Sequence, residues 1–320
     1  MTAEPIANVI ADIRQGRAQN ILAAAEAHNW PGVIKGAGKV VWEEALMRAR
    51  LDQPVIDATP LYEELKAPGK VRLYEDFPSV MSPWENATIC FVNDYGNVVA
   101  LQITAVPWPS MGMDKWRATT INEVDWDRVK WFVETFIWVG HRSEGKPIPT
   151  VGPLHMFQMA IYEDGSPADL HYVALMPRSR EDADNWEQAQ VKYDRDWEMS
   201  QVVLLSALNF LNCKNVEIVE PVRERHLRKR IARTGVTVQH ITVRPISGRH
   251  HSRRDAGQEL AGAQPLTHVR GHFAHYGPQY NKGLLFGKFA GKYWIPQFAR
   301  GAGDDPGQPH YTLKPARKAS

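Results

Sequence analysis

Two short apolar runs on either side of a tight reversal limit what this chain can become. Residues 87–92 (ATICFV) and 98–104 (VVALQIT) are rich in β-branched and apolar side chains. They flank Asn93–Asp94–Tyr95–Gly96–Asn97, where glycine supplies the positive φ that a short turn needs, so the pattern predicts a β-hairpin. A second turn cluster, Glu163–Asp164–Gly165–Ser166–Pro167, separates strand-like runs at 156–162 and 170–175. Further strands are expected at 71–74 and 117–121. The middle of the chain therefore reads as a mostly antiparallel sheet.

Helical periodicity frames that sheet. Residues 5–30 place Ile10, Ile13, Ile21, Leu22 and Ala25 near helical spacing, and 40–51 reads as a second helix ahead of Pro54. Residues 181–211 give the longest helix. Its second half (Met199, Val202, Val203, Leu204, Leu205, Leu208, Phe210, Leu211) is apolar nearly all round, which predicts burial against the sheet. A short strand at 216–219, a basic helix at 221–233 and a strand at 236–243 follow. Residues 247–265 are polar and glycine-bearing and read as a basic loop, and the tail after 300 reads as disordered. The expected organisation is a helical region at 1–66, an α+β core at 67–246, the loop at 247–265, a basic aromatic module at 266–301 and a tail at 302–320. The fold class is α+β: a central, mostly antiparallel sheet packed by helices, with a basic β-rich C-terminal module.

Charge separates the two ends. The net charge of +2 is the sum of opposite halves: residues 221–320 hold 18 Lys and Arg against 5 Asp and Glu, leaving 20 basic and 31 acidic residues before them. Eight of the twelve histidines lie in the same last hundred residues. Such a split points to an anionic partner or to docking of the basic part on the protein's own acidic part, and basic patches are the footprint of phosphate contact. The opening residues lack a basic start, an apolar run and a small-residue cleavage site, so no secretory signal is expected. No stretch approaches the roughly 18 unbroken apolar residues of a membrane span. Cys90 and Cys213 each sit in an apolar run, as buried thiols in a reducing compartment do. The expected setting is cytoplasm, with no membrane partner.

Chemistry concentrates in residues 266–301. His268, Arg270, His272, His275, Lys282, Lys288, Lys292 and Arg300 alternate with Phe273, Tyr276, Tyr280, Tyr293, Trp294 and other aromatic rings. Cations between rings suit RNA: the cations meet phosphates while the rings stack on unpaired bases. On this reading Arg270 and His272 contact phosphate, and Tyr293 and Trp294 stack or wall a groove, with His268, Tyr276, Lys288, Lys292 and Arg300 completing the surface. Arg223, Arg225, Arg228, Lys229, Arg230 and Arg233 would enlarge the electrostatic footprint, or would be a solvated helix face. The rings could equally cover the edge of a short two-stranded addition. Two histidines and a cation can also cleave RNA without metal, one imidazole as base and one as acid, which makes His272, His275 and Lys288 catalytic candidates. No cofactor is expected, and no metal site: His272 and His275 fall on opposite faces of a strand, with no Cys or carboxylate nearby. Nucleotide-binding glycine loops, GxSxG and HExxH are absent.

The run His268–Val269–Arg270–Gly271–His272–Phe273, the glycine-rich basic spacer after it, and Tyr293–Trp294–Ile295–Pro296–Gln297 with Arg300–Gly301 resemble a C-terminal signature. It is that of a broad phage and mobile-element family that includes the type V-A anti-CRISPR protein lowering production of its Cas nuclease. Residues 208–216 and the basic run after them look like related proteins of actinobacterial phages. The specific likeness covers about a third of the chain. It implies a phage or prophage accessory protein, an anti-defence or host-takeover factor that reduces expression of a target. The partners implied are RNA or the ribosome with its nascent chain, and a host or defence protein, in the cytoplasm of a bacterial host. A metal-independent ribonuclease and a phage structural or assembly protein with a basic protein-binding end are the alternatives.

Overall fold

The computed structural model describes residues 2–29, 37–66, 79–108, 124–143, 146–174, 181, 184–220, 225–243, 267–269, 272–284, 290–295 and 298–300, some of them by backbone alone. They fall into two compact units, one within Met1–Leu211 and Ile218–Ile241, the other within Asn212–Glu217 and Thr242–Ser320. The expected strands at 71–74 and 117–121, the loop at 247–265 and the tail after 300 lie outside the described residues.

The first unit is built on a nine-stranded mixed sheet. Its strands are β1 (Gln19–Asn20), β2 (Val55–Asp57), β3 (Asn86–Val92), β4 (Val98–Pro107), β5 (Val129–Ser143), β6 (Lys146–Tyr162), β7 (Pro167–Ala174), β8 (Val216–Val219) and β9 (Val238–Val243). The spatial order is β1-β6-β5-β4-β3-β2-β9-β8, with β7 also pairing β6. The pairs from β3 through β7 are antiparallel, as expected, whereas β2 runs parallel to both β3 and β9 and β1 runs parallel to β6. The predicted hairpin is present. Asn93 closes it by accepting from Gly96 N at 2.9 Å on its carbonyl and from Tyr95 N and Asn97 N on Oδ1, with Gly96 at φ +74°.

Strand β5 escaped the sequence reading for a physical reason. Phe132, Val133, Phe136, Ile137, Trp138 and Val139 are all buried, so the strand shows no alternation to find. Helices lie on both faces of the sheet. On one face, α1 (Ala3–Arg14), α3 (Ala37–Ala49) and α6 (Arg225–Ala232) surround a cluster containing Ile6, Ile10, Ile13, Cys90, Phe136 and Trp138, and Leu22 of α2 (Ile21–Ala27) packs beside it against Val41 and Met156. The neighbouring side chain of β3 points the other way. There Phe91 stacks on Tyr62 of α4 (Thr59–Leu65), ring centroids 4.9 Å apart, and α4 packs against α5 (Trp186–Leu211). The second half of α5 buries Val202, Val203, Leu204, Leu205, Leu208 and Phe210, as its sequence predicts.

Residues 5–30 form two helices rather than the single one expected. Gly16, at φ +67°, turns the chain after α1, and Asn20 Oδ1 then caps α2 by accepting from Ala23 N at 3.1 Å. Helix α1 approaches the sheet so closely that a Cβ on Gly140 would lie 2.2 Å from Val9 Cγ2. Beneath it, Trp138 Nε1 donates to Gln102 Oε1 at 2.9 Å and Gln102 Nε2 donates to the Ala45 carbonyl at 2.9 Å, joining sheet to α3. The start of α1 is fixed to β2 by the Thr2 hydroxyl, which donates to buried Asp57, and His240 Nε2 of β9 lies 3.8 Å from the same carboxylate.

The second unit contains two antiparallel ladders. β10 (Thr267–Val269) pairs with β13 (Phe298–Arg300), and β11 (His272–Tyr276) pairs with β12 (Gly291–Ile295). Among the described residues, no helix is long and apolar enough to cross a membrane.

Candidate anion-binding site

The β11–β12 register sets the site. Phe273 stands opposite Trp294, His275 opposite Lys292, and Tyr276 opposite Gly291. Period-two alternation puts Phe273, His275, Lys292 and Trp294 on one face and Ala274, Tyr276 and Tyr293 on the other. The rings follow: Phe273 and Trp294 lie 4.7 Å apart between centroids, and Tyr276 meets Tyr293 edge-on at 6.0 Å. Residues 214 and 215 run along β12. Lys214 N donates to the Lys292 carbonyl at 2.9 Å, and the Asn215 amide exchanges two hydrogen bonds with the Trp294 backbone. The loop beyond β11 is closed by Gly277 N to the Gly283 carbonyl at 2.8 Å and by Tyr280 N to the Gly277 carbonyl at 3.0 Å.

At this end of the hairpin lies a concavity of about 320 Å³. Lys214, His275, Tyr276, Gln279, Tyr280 and Lys292 line it, and no carboxylate does so among the described residues. The Lys214 side chain crosses directly over Gly291, where a Cβ would lie 2.6 Å from its Cε. Lys292 is only 8% exposed, with its ammonium 4.9 Å from the centre of the Phe273 ring. Burial lowers its pKa to about 8, against a smaller upward pull from Cys213. Burial and then the charge of Lys292 hold His275 below the usual imidazole range. His275 Nε2 is buried with no hydrogen-bond partner among the described residues, while its ring meets Tyr280 edge-on at 5.5 Å. Burial pushes the Cys213 thiol up to about 12. Two amines and an imidazole thus share a partly dry cavity that none of the described carboxylates lines.

Of the residues singled out in the sequence, His275, Tyr276 and Lys292 come together here. Tyr293 is 8% exposed and packs on Tyr276, so its ring meets protein instead of offering a stacking face, and Trp294 is half-buried. His268, His272 and Arg300 lie on β10, β11 and β13 and are described by backbone alone; Arg223, Arg270 and Lys288 lie outside the described residues. In the first unit, Arg225, Arg228, Lys229 and Arg233 are exposed, whereas Arg230 pairs with Glu4 of α1. Helix α6 is not solvated all round: Leu227 and Ile231 pack into the α1 cluster. Sequence reasoning missed Lys214, Asn215 and Gln279. Lys214 and Asn215 reach β12 across more than seventy residues of sequence, and no local pattern announces a pairing of that range.

Comparison of the chain with protein-family models, curated proteins and solved structures returns no match. The fold and the site define an α+β protein whose second unit presents a cationic pocket at the end of a β-hairpin.

Proposed function

We propose that this protein binds RNA, and that the β11–β12 pocket is one of its phosphate contacts. One observation carries the reading: Lys214, His275 and Lys292 converge on a single concavity that none of the described carboxylates lines. A local excess of cations favours a polyanion, and the release of its counterions drives association. The exposed cations of α6 add a second contact. The signature in residues 268–301 supports a role for such a protein as an accessory factor of phage origin that lowers expression of a target through its message or the ribosome. Titration of the protein with fluorescent single-stranded RNA over a salt series tests the binding step. Affinity should fall linearly with the logarithm of salt concentration and drop in Lys214→Glu; a flat salt response removes the RNA reading.

The cleavage reading retains one supporting feature. His275 Nε2, with its pKa lowered by burial and no hydrogen-bond partner among the described residues, is in the form that a proton acceptor takes. RNA cleavage that survives EDTA and is lost in His275→Ala would add chemistry to binding; intact RNA after long incubation would leave binding alone.

A further inference from the structure

The β11–β12 pocket also holds groups suited to a nucleobase. Tyr280 is 41% exposed at its rim, yet its place is fixed. Its N–H donates to the Gly277 carbonyl at 3.0 Å, its carbonyl accepts from Gly283 N at 2.8 Å, and its ring meets His275 edge-on at 5.5 Å. An exposed ring held in place by its neighbours is a stacking platform. Beside it the Gln279 amide lies over Gly277, where a Cβ would come 2.7 Å from Oε1. Gly291 makes the same room for Lys214, so two bare backbones admit one amide and one ammonium group to the lining of a single concavity. Its volume of about 320 Å³ is at the lower end of small-molecule sites and suits about one nucleotide rather than a length of chain. An amide carries a donor and an acceptor side by side, and adenine presents the complementary pair at N7 and N6–H. Guanine offers two acceptors on that edge, and pyrimidines lack N7.

We propose that this pocket takes one adenosine of a single-stranded RNA: Tyr280 stacks on the base, Gln279 pairs with its N6 and N7, and Lys214 meets its phosphate. The inference rests on the RNA reading for its macromolecular ligand; a free adenine nucleotide presents the same chemistry. It goes further than that reading in making the second unit selective for a base, which phosphate contact alone is not.

The test follows fluorescence anisotropy of the full chain with labelled nonamers of uridine whose central position is adenosine, guanosine, cytidine or uridine, beside calorimetry with adenosine 5′-monophosphate alone. The adenosine strand should bind about tenfold more tightly than the other three. Gln279→Leu should bring adenosine level with guanosine. Tyr280→Leu should weaken the adenosine strand about tenfold, and Tyr280→Phe, which keeps the ring, should restore it. Lys214→Met should weaken all four strands alike and keep their order. Each of these changes alters an exposed side chain. If the strands bind but adenosine does not outbind guanosine, or if its advantage survives both Gln279→Leu and Tyr280→Leu, the base pocket is overturned and the RNA reading stands. Binding of the mononucleotide with no strand bound would support the pocket and remove the RNA reading. No binding of any of the five overturns both.

Discussion

Asn215 holds Trp294 as a strand neighbour would: its Nδ2 donates to the Trp294 carbonyl at 2.8 Å, and the Trp294 N–H donates back to its Oδ1 at 2.9 Å. Asn215 is 6% exposed, so neither backbone group has ready access to water if the amide is lost. Asn215→Ala should cost about 1–3 kcal/mol in urea unfolding followed by tryptophan fluorescence. Asn215→Asp, which keeps the acceptor and loses the donor, should also destabilise. An unchanged midpoint in both variants would show that the clamp carries no weight.

Binding and stability should respond to pH in opposite directions. The folded pKa of Lys292, about 8, is below its ordinary 10.5, so between these values the folded chain holds fewer protons than the unfolded one and gains stability as pH rises. A phosphate contact needs the charged amine, so affinity for RNA should weaken as pH rises past about 8. The groups facing Lys292 do not reverse this: Lys214 and His275 share its sign when charged, and the Cys213 thiol, pushed up to about 12, stays neutral. Calorimetry from pH 7 to 9.5 beside thermal melts checks both slopes, and parallel trends would contradict the assignment.

Gly140→Ala should be among the most damaging single-methyl changes in the chain, because the added carbon would enter Val9 at 2.2 Å. Overpacking of this kind costs about 1–3 kcal/mol. Gly235 makes the useful comparison: its φ of +68° disfavours a side chain, yet nothing lies within 4 Å of the added carbon. Gly235→Asn should therefore be nearly neutral in the same melt, since asparagine tolerates that backbone region.

Trp138→Phe should keep most of the buried ring contact while leaving Gln102 Oε1 without its donor. The expected loss is about 1–3 kcal/mol by denaturant unfolding. Adding Gln102→Leu should recover part of it, because the orphaned acceptor is then gone as well.

On α6 the two sides should separate cleanly. Arg225→Ala and Arg228→Ala, both exposed, should leave stability within about 0.5 kcal/mol and lower the salt slope of RNA affinity by about 1 each if both touch phosphate. Ile231→Asp, placing a charge in the α1 cluster, should instead destabilise the folded unit. Equal RNA affinity and slope in the arginine variants would confine binding to the second unit.

What could be read from sequence follows the range of the interactions. The β3–β4 hairpin and its Asn93–Gly96 turn were legible because their information is local, and so was the buried half of α5. The break at Gly16 was hidden because Ile13 and Ile21 keep near-helical spacing across it. β5 was hidden because covering both faces erases alternation. The parallel pairing of β2 with β3 and β9 has no turn between partners to reveal it. The same holds in the second unit. The basic aromatic stretch pointed to Lys292, His275 and Tyr276, but Lys214 joins them only through pairing across the fold.

Strand β2 has three residues, and its two neighbours in the sheet come from residues 88–90 and residues 238–240. The second of these lies some 180 positions further along the chain, next to α6, whose Ile231 helps cover the first helix. As the polypeptide leaves the ribosome, β2 and α1 emerge early and wait for most of the protein to be made before their last partners arrive. For that interval one edge of β2 and part of the α1 surface stay open to other contacts. The unit is thus sealed near the end of translation, and a chain truncated before residue 225 should depend on chaperones to remain in solution.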